Sequence, residues 1–161
     1  MKVHFTTLGC PKNQVDSELM QGMLSQVGIK LNIQAVPTDD FFDKYITPGN
    51  FDITDFSWIG TQFPISSSKS IYANPKGADI QQNYARVGSQ ALDDLFDKAT
   101  AELDPKKAID LANQADAMIW SEVHSLTLYQ RPELVATKNT VANFGAVGFA
   151  TNIYEDIGFI K

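Results

Sequence analysis

The sequence contains one cysteine, Cys10, and this scarcity limits the redox and metal chemistry open to the chain. A single thiol forms no disulfide within the chain, which excludes a disulfide-stapled scaffold. An iron–sulfur cluster is typically held by several cysteine thiolates, and one thiolate does not hold it. We therefore expect Cys10 to be an inert or partly exposed turn residue, and we predict no metal site and no cofactor.

Basic clusters and long apolar runs are also missing. The 161 residues include 13 Lys or Arg and 19 Asp or Glu, giving a net charge of −6. No basic run displaces counterions from a phosphate backbone, which argues against nucleic acid as a partner. No apolar run approaches the roughly 20 residues that span a bilayer, so we predict no membrane insertion. Because MKVHFTTLG lacks the apolar core of a signal peptide, the expected location is cytoplasmic.

Constellations typical of enzymes are absent as well. Ser125 follows His124, but the strand–turn–helix with flanking glycines that marks a nucleophile elbow is not there. The sequence has no glycine-rich phosphate loop. A solvated helix face explains Asp93, Asp94 and Asp97 without a metal ion. We predict that the chain is not an enzyme and that both of its histidines are structural.

The amino-terminal third has the pattern of a strand–helix–strand unit. Strands are predicted over Lys2–Leu8 and Ile29–Val36, the second with alternating apolar residues. The helix between them is capped by Asn13 or Asp16, and five residues form its predicted apolar face: Leu19, Met20, Met23, Leu24 and Val27. Short connections favour a parallel β-α-β unit.

The rest of the chain alternates further strands and helices. A short helix, DDFFDKYI, precedes a predicted central strand over Phe51–Trp58, and a Ser-rich loop then opens a long excursion from Pro64 to Gly88. Caps at Ser89 and Asp104 begin two amphipathic helices that should form a hairpin. Two further strands are predicted: Ser125–Gln130 and Leu134–Thr137. The predicted fold class is α/β, one domain over residues 1–161 with a mixed sheet flanked by helices.

The candidate binding site follows the strand that ends at Trp58. In open α/β sheets, ligands bind beyond the carboxyl ends of strands, where loops diverge. Trp58 and Phe63 would offer an apolar platform, with hydroxyl groups as polar contacts: Thr61, Ser66, Ser67 and Ser68. The alternative is that both aromatics belong to the core.

A long resemblance covers residues 19–161. The blocks that carry it are GIKLNIQAVPTDDFFDKYITPGNFDITDFSWIGTQFP, IQQNYARVGS, LDDLFDKATAELDPKKAIDLANQADAMIW, HSLTLYQRPELVA and YEDIGFIK. They resemble the carboxy-terminal part of the extracytoplasmic solute-binding proteins of peptide-type ABC importers. The resemblance implies part of a two-lobed clamshell and a peptide or small solute as ligand. Peptide-binding members have an aspartate three residues after the tryptophan, where this chain has Thr61, and this difference puts free-peptide recognition in question.

The first 24 residues resemble a different family. MKVHFTTLGCPKNQVDSELMQGML is similar to the amino terminus of the radical-SAM methylthiotransferases, whose LGCPKN turn supplies one cysteine of an iron–sulfur site. Two families thus meet inside one predicted helix, as in a recombined or designed chimera.

Three functions remain open at this point. The chain is a weak solute-binding module, a chimera whose only property is that it folds, or a fragment of an iron–sulfur methylthiotransferase. Because the resembled clamshell has a second lobe, we also expect self-association, or a tail from Asn143 repacked on its own sheet.

Overall fold

The computed structural model describes residues 2–160, which group into two compact units, one ending at Trp58 and one beginning at Ile59. The first unit contains, in chain order, β1 (Lys2–Leu8), α1 (Pro11–Ser25), β2 (Lys30–Val36), α2 (Thr38–Asp40) with a π-helical continuation (Phe41–Ile46), and β3 (Ile53–Thr54). The second contains α3 (Pro64–Tyr72), α4 (Gln90–Ala101), α5 (Pro105–Ser121), β4 (Val141–Ala142), a 3-10 turn (Tyr154–Asp156) and β5 (Gly158–Phe159).

The first unit is a parallel β-α-β arrangement, as the sequence predicts. β1 lies between β2 and β3 and runs parallel to both. Val3, Phe5 and Leu31 form the buried cluster of the sheet, and Met20 and Leu24 of α1 pack against it. Burial of these side chains is the main stabilising contribution of the unit, at roughly 1.5–3 kcal/mol for each large apolar side chain.

The helix α1 is continuous, but its buried face differs from the predicted one. Leu19, Met23 and Val27 are exposed. The buried stripe runs instead through Asn13 and Ser17, and continues to Met20 and Leu24, at helical spacing. No side chain caps the helix, because Cys10 rather than Asn13 or Asp16 occupies the N-cap position and Pro11 begins the helix.

The strand predicted over Phe51–Trp58 is much shorter and lies at an edge. Only Ile53 and Thr54 pair with β1, so β1 and not this segment is the central strand of the described sheet. The physical reason lies in side chains. Asp52 Oδ2 accepts the backbone N–H of His4 at 2.8 Å, and Thr7 Oγ1 donates to Asp55 Oδ1 at 3.2 Å. These bonds replace backbone pairing on both sides of β3.

The second unit is built on the helical hairpin α4–α5, which the sequence predicts. Both predicted caps are present: Ser89 Oγ accepts the N–H of Leu92 at 3.2 Å, and Asp104 Oδ1 accepts the N–H of Lys106 at 2.9 Å. Apolar residues of α4 and α5 form its core: Leu92, Phe96, Ala115 and Ile119. Asp93, expected to face water, is buried and accepts the backbone N–H of Asn74 at 3.0 Å.

Two further predictions for this unit are wrong. The first nine residues of the predicted excursion form the helix α3, with Pro64 at its first turn. The predicted strands Ser125–Gln130 and Leu134–Thr137 have no regular structure, and the strands that form instead are β4 and β5, an antiparallel pair. The α/β class is confirmed: residues 2–160 contain a small parallel sheet, this antiparallel pair and five α-helices. Among residues 2–160, no helix combines the length and apolar character needed to cross a bilayer.

Candidate functional site

Trp58 ends the first unit at the surface and is supported by other aromatic rings. Its ring contacts Phe56 edge-on at a centroid distance of 5.4 Å. Phe56 contacts Phe42 at 5.4 Å, and Phe42 contacts the fully buried Phe41 at 5.1 Å. Edge-to-face aromatic pairs of this kind contribute roughly 0.5–1.5 kcal/mol each beyond the area they bury. The row therefore fixes Trp58 from the core outward.

The exposure of Trp58 decides whether this residue is a core aromatic or is accessible to a ligand. Its side chain is 44% exposed, so it is not a buried core aromatic. Phe42 is also partly exposed, at 39%. The sequence analysis did not identify Phe42 and Phe56 as supports of Trp58; the Phe41–Phe42 pair in DDFFDKYI was a signal for the first, and Phe56, two residues before Trp58, was a signal for the second.

Beyond Trp58, the second unit opens with a closely packed turn. A Cβ atom on Gly60 would lie 2.7 Å from Cζ of Phe149, so a larger residue at position 60 would require the exposed Phe149 ring to move. The side-chain amide of Gln62 donates to the carbonyl of Phe149. Ile59 is 93% exposed in the same turn. The segment 59–62 is thus fixed against the tail of the chain.

The predicted hydroxyl contacts mostly bond to one another and to local backbone. Thr61 Oγ1 accepts the N–H of Phe63 at 3.1 Å and donates to Ser67 Oγ at 3.0 Å. Ser66 Oγ donates to the carbonyl of Phe63 at 3.3 Å. These bonds organise the first turn of α3, since no side chain caps it. Phe63 is 72% exposed.

Ser68 differs from its neighbours because it lines a pocket. This pocket, about 280 Å³, lies between α3, α4 and α5. Its walls include Ile65, Phe96 and Ile119, and Asp116 contributes a carboxylate. Nothing in the sequence pattern singled out this pocket, because its walls are ordinary amphipathic helix positions.

His124 joins the end of α5 to the loop that follows α3. Asn83 is fully buried and donates both amide hydrogens, to the carbonyls of Ala73 at 2.8 Å and Val87 at 2.7 Å. Its Oδ1 therefore accepts, and His124 Nε2 donates to it at 2.9 Å. Burial lowers the pKa of His124, although a hydrogen bond to the Ile71 backbone and the charge of Glu122 both act to raise it. His124 thus makes hydrogen bonds within the second unit, with Asn83 through Nε2 and with Ser125 Oγ through Nδ1.

A polar cluster lies at the carboxyl end of β1 in the first unit. Asn13 donates to the carbonyl of Asp55 at 3.3 Å and accepts from the Cys10 thiol at 3.3 Å. Burial raises the pKa of the Asp55 carboxyl, partly offset by its bond from Thr7. Cys10 itself is exposed. Among residues 2–160 no group of three or more His, Cys, Asp or Glu side chains is arranged to hold a metal ion.

Sequence comparison finds one similarity that covers most of the chain. No family model matches it. The chain is 44% identical to the oligopeptide-binding protein OppA of Mycobacterium tuberculosis over 145 residues, and equally so to that of Mycobacterium bovis. This similarity covers 90% of this chain but 24% of OppA, so the chain spans about a quarter of the length of these relatives.

A shorter similarity points to the second family. The chain is 59% identical to the ribosomal protein uS12 methylthiotransferase RimO of Roseiflexus castenholzii over 39 residues. These residues are 24% of this chain and 8% of that protein.

Solved structures share the fold at low identity. The murein tripeptide binding protein MppA of Escherichia coli matches with a TM-score of 0.69 at 19% identity, over 77% of this chain and 24% of MppA. HbpA2 of Haemophilus parasuis matches with a TM-score of 0.74 at 15% identity, over 99% of this chain and 32% of HbpA2. The ABC transporter substrate binding protein CtaP of Listeria monocytogenes matches with a TM-score of 0.64 at 20% identity, over 74% of this chain and 24% of CtaP. The chain is therefore homologous to part of OppA and has the fold of the matching part of ABC substrate-binding proteins.

Proposed function

We propose that the chain is a non-catalytic solute-binding module, derived from one lobe of an ABC-importer substrate-binding protein. The observation that carries the proposal is Trp58, an aromatic ring held by a row of three phenylalanines and 44% exposed. A rigid, exposed aromatic is a suitable platform for apolar ligand groups, because little rotational entropy is lost when a ligand packs on it. The names of the similar proteins, oligopeptide-binding and tripeptide-binding, suggest peptides as the first ligands to test.

We further propose that binding is weak. Ligand pockets usually enclose roughly 70–90% of a drug-sized ligand, and an exposed ring on one surface encloses much less. The hydroxyls of Thr61 and Ser67 already bond to each other, so a ligand must compete with that bond. We propose that the other predicted contacts also touch the ligand weakly: Phe63, Ser66 and Ser68.

Chemical-shift mapping by NMR tests this proposal. An unblocked tripeptide added to the protein should shift the indole signal of Trp58, and Trp58→Ala should reduce the shifts elsewhere. The neighbouring Ile59→Ala is the matched control, because Ile59 is more exposed but has no aromatic face. If Ile59→Ala and Trp58→Ala change the shifts equally, Trp58 is not the platform.

Thr61→Asp provides a gain-of-function arm. The added carboxylate supplies the charge-assisted partner that the family resemblance places three residues after the tryptophan. The variant should bind the free tripeptide more tightly than the wild type does, and the amino-acetylated peptide no more tightly. Equal gains for both peptides would show that the carboxylate does not recognise the α-ammonium group.

We also propose that the chain is a chimera whose first residues descend from a methylthiotransferase. The 39-residue similarity to RimO supports the origin but not the activity, because the chain has one cysteine. The purified protein should be colourless after iron and sulfide reconstitution. Absorbance near 400 nm at stoichiometric iron would instead favour the methylthiotransferase fragment.

A further inference from the structure

We propose a second ligand site, separate from Trp58, in the pocket between α3, α4 and α5, and that it binds small apolar molecules carrying one ammonium group. This inference does not depend on the proposed function, because every residue that lines the pocket lies between Pro64 and Ile119 in the second unit.

The walls of the pocket select for an apolar ligand. Ile65 of α3, Phe96 of α4 and Ile119 of α5 line three sides, and small residues of α4 and α5 keep the space open: Ala99, Ala112 and Ala115. Tyr72, which also lines the pocket, stacks on Phe96 at a centroid distance of 6.0 Å. A volume of about 280 Å³ is near the lower limit of ligand pockets, so the ligand is small.

The polar groups of the pocket select for a cation. Asp116 is the one charged residue in the lining, and no Lys, Arg or His lies within ion-pair distance of its carboxylate among residues 2–160. Ser68 adds a hydroxyl to the lining. Tyr72 and Asp116 both line the pocket. Burial raises the pKa of the Tyr72 phenol, a hydrogen bond with Ser125 opposes this shift, and the charge of Asp116 adds to it. An ammonium group therefore meets a carboxylate, a phenol and a hydroxyl, while a carboxylate ligand meets like charge.

The test uses three probes of similar shape, one positively charged, one neutral and one negatively charged. Phenethylammonium, 2-phenylethanol and 3-phenylpropionate are titrated separately into the full chain, and binding is measured by ligand-observed NMR. Phenethylammonium should bind most tightly, the neutral alcohol less tightly and the carboxylate least. The reverse order, equal affinities, or no binding of phenethylammonium would overturn the proposal.

Two pairs of variants locate the bound probe. Asp116→Asn should weaken the binding of phenethylammonium by about two- to fivefold, as expected for a partly solvated ion pair. It should leave the affinity for the alcohol unchanged. Asp110→Asn removes the same charge from the same helix but lies outside the pocket, so it should change neither probe. Equal weakening by both variants would show a general charge effect and overturn the site.

A second pair of variants tests the effect of filling the pocket. Ala112→Leu places a larger side chain in the pocket and should abolish binding of both the ammonium and the alcohol. Ala117→Leu adds the same volume to the exposed side of α5 and should leave binding intact. Circular dichroism of the folded variants separates loss of the pocket from loss of the fold. Full binding by a folded Ala112→Leu protein would contradict the assignment.

Discussion

At the residue scale, Asn83 is a polar side chain in the interior of the second unit. It is fully buried and makes three hydrogen bonds, to Ala73, Val87 and His124. These bonds hold a connection that has little regular structure between α3 and α4. Sequence reasoning did not find Asn83, because an Asn in a polar segment gives no sign that it is buried.

Asn83→Ala should lower the free energy of unfolding by about 3 kcal/mol, because two buried carbonyl groups and an imidazole N–H lose their partner. Gln82→Ala, at the neighbouring exposed position, should change it by no more than about 0.5 kcal/mol. Urea unfolding of the two variants measures the difference. Equal stabilities would mean that the connection does not depend on Asn83.

His124 gives the stability a defined pH dependence. Burial lowers its pKa in the folded state below the ordinary value of 6.5, so the unfolded chain takes up a proton first as the pH falls. This contribution to stability is complete above the unfolded pKa and is lost as the pH falls from there towards the folded pKa.

The free energy of unfolding should therefore decrease between pH 7.5 and 5.5, and His124→Gln should flatten this slope. His4→Gln, at the other histidine of the chain, is the matched control. Chemical denaturation at a series of pH values provides the measurement. If the pH dependence disappears in the His4 variant and persists in the His124 variant, His124 is not its source.

At the scale of elements, the sequence predicts best where the signal is local. The caps at Ser89 and Asp104 bond to the first turns of the helices that they begin, and both are confirmed. The helix α3 was missed although Pro64 begins it in the same way that Pro105 begins α5, because the serines that follow suggested a loop. The shortness of β3 depends on side-chain bonds to β1 from distant residues, which no local pattern reveals.

The buried face of α1 shows the same limit. Its apolar residues are more numerous than the positions available for burial, and polar Asn13 takes one such position because its amide bonds to Asp55. Periodicity alone therefore selected Leu19, Met23 and Val27 as well as the two residues that do pack.

Leu24→Asp and Leu19→Asp separate these two groups. Leu24 packs on the cluster of Val3, Phe5 and Leu31, whereas Leu19 is 63% exposed. A carboxylate at position 24 should cost several kcal/mol, a large part of a typical total of about 5–15 kcal/mol, and should unfold the first unit. The same change at position 19 should have little effect. Melting temperatures that are equal in both variants would contradict the packing of α1.

At the scale of the whole molecule, the tail carries apolar side chains that nothing covers fully. β4 and β5 pair, and Asn143 donates to the carbonyl of Asp156 at 2.8 Å, so the tail is folded on itself. Among residues 143–160, seven large apolar or aromatic residues are nevertheless exposed: Phe144, Val147, Phe149, Ile153, Tyr154, Phe159 and Ile160. Exposed apolar patches of more than a few hundred Å² usually mark interfaces.

We therefore expect the chain to self-associate. Sedimentation velocity should show a weight-average mass that increases with concentration, and Phe159→Ser should shift the distribution towards the monomer, because Phe159 is among the most exposed of these residues. Thr151→Ser, a small change at an exposed polar position, is the control. A wild-type monomer at all concentrations, with residues 143–160 disordered in solution, would contradict the expectation.

We propose above that this chain is a weak solute-binding module in which Trp58 is the contact platform. Calorimetric titration of the wild type and of Trp58→Ala with an unblocked tripeptide tests it most directly. The dissociation constant of the wild type should be no tighter than the millimolar range, or about −4 kcal/mol, and the variant should bind more weakly still. A micromolar constant that collapses in Trp58→Ala would contradict weak binding and show a complete site, and millimolar binding unchanged in Trp58→Ala would contradict the role of Trp58.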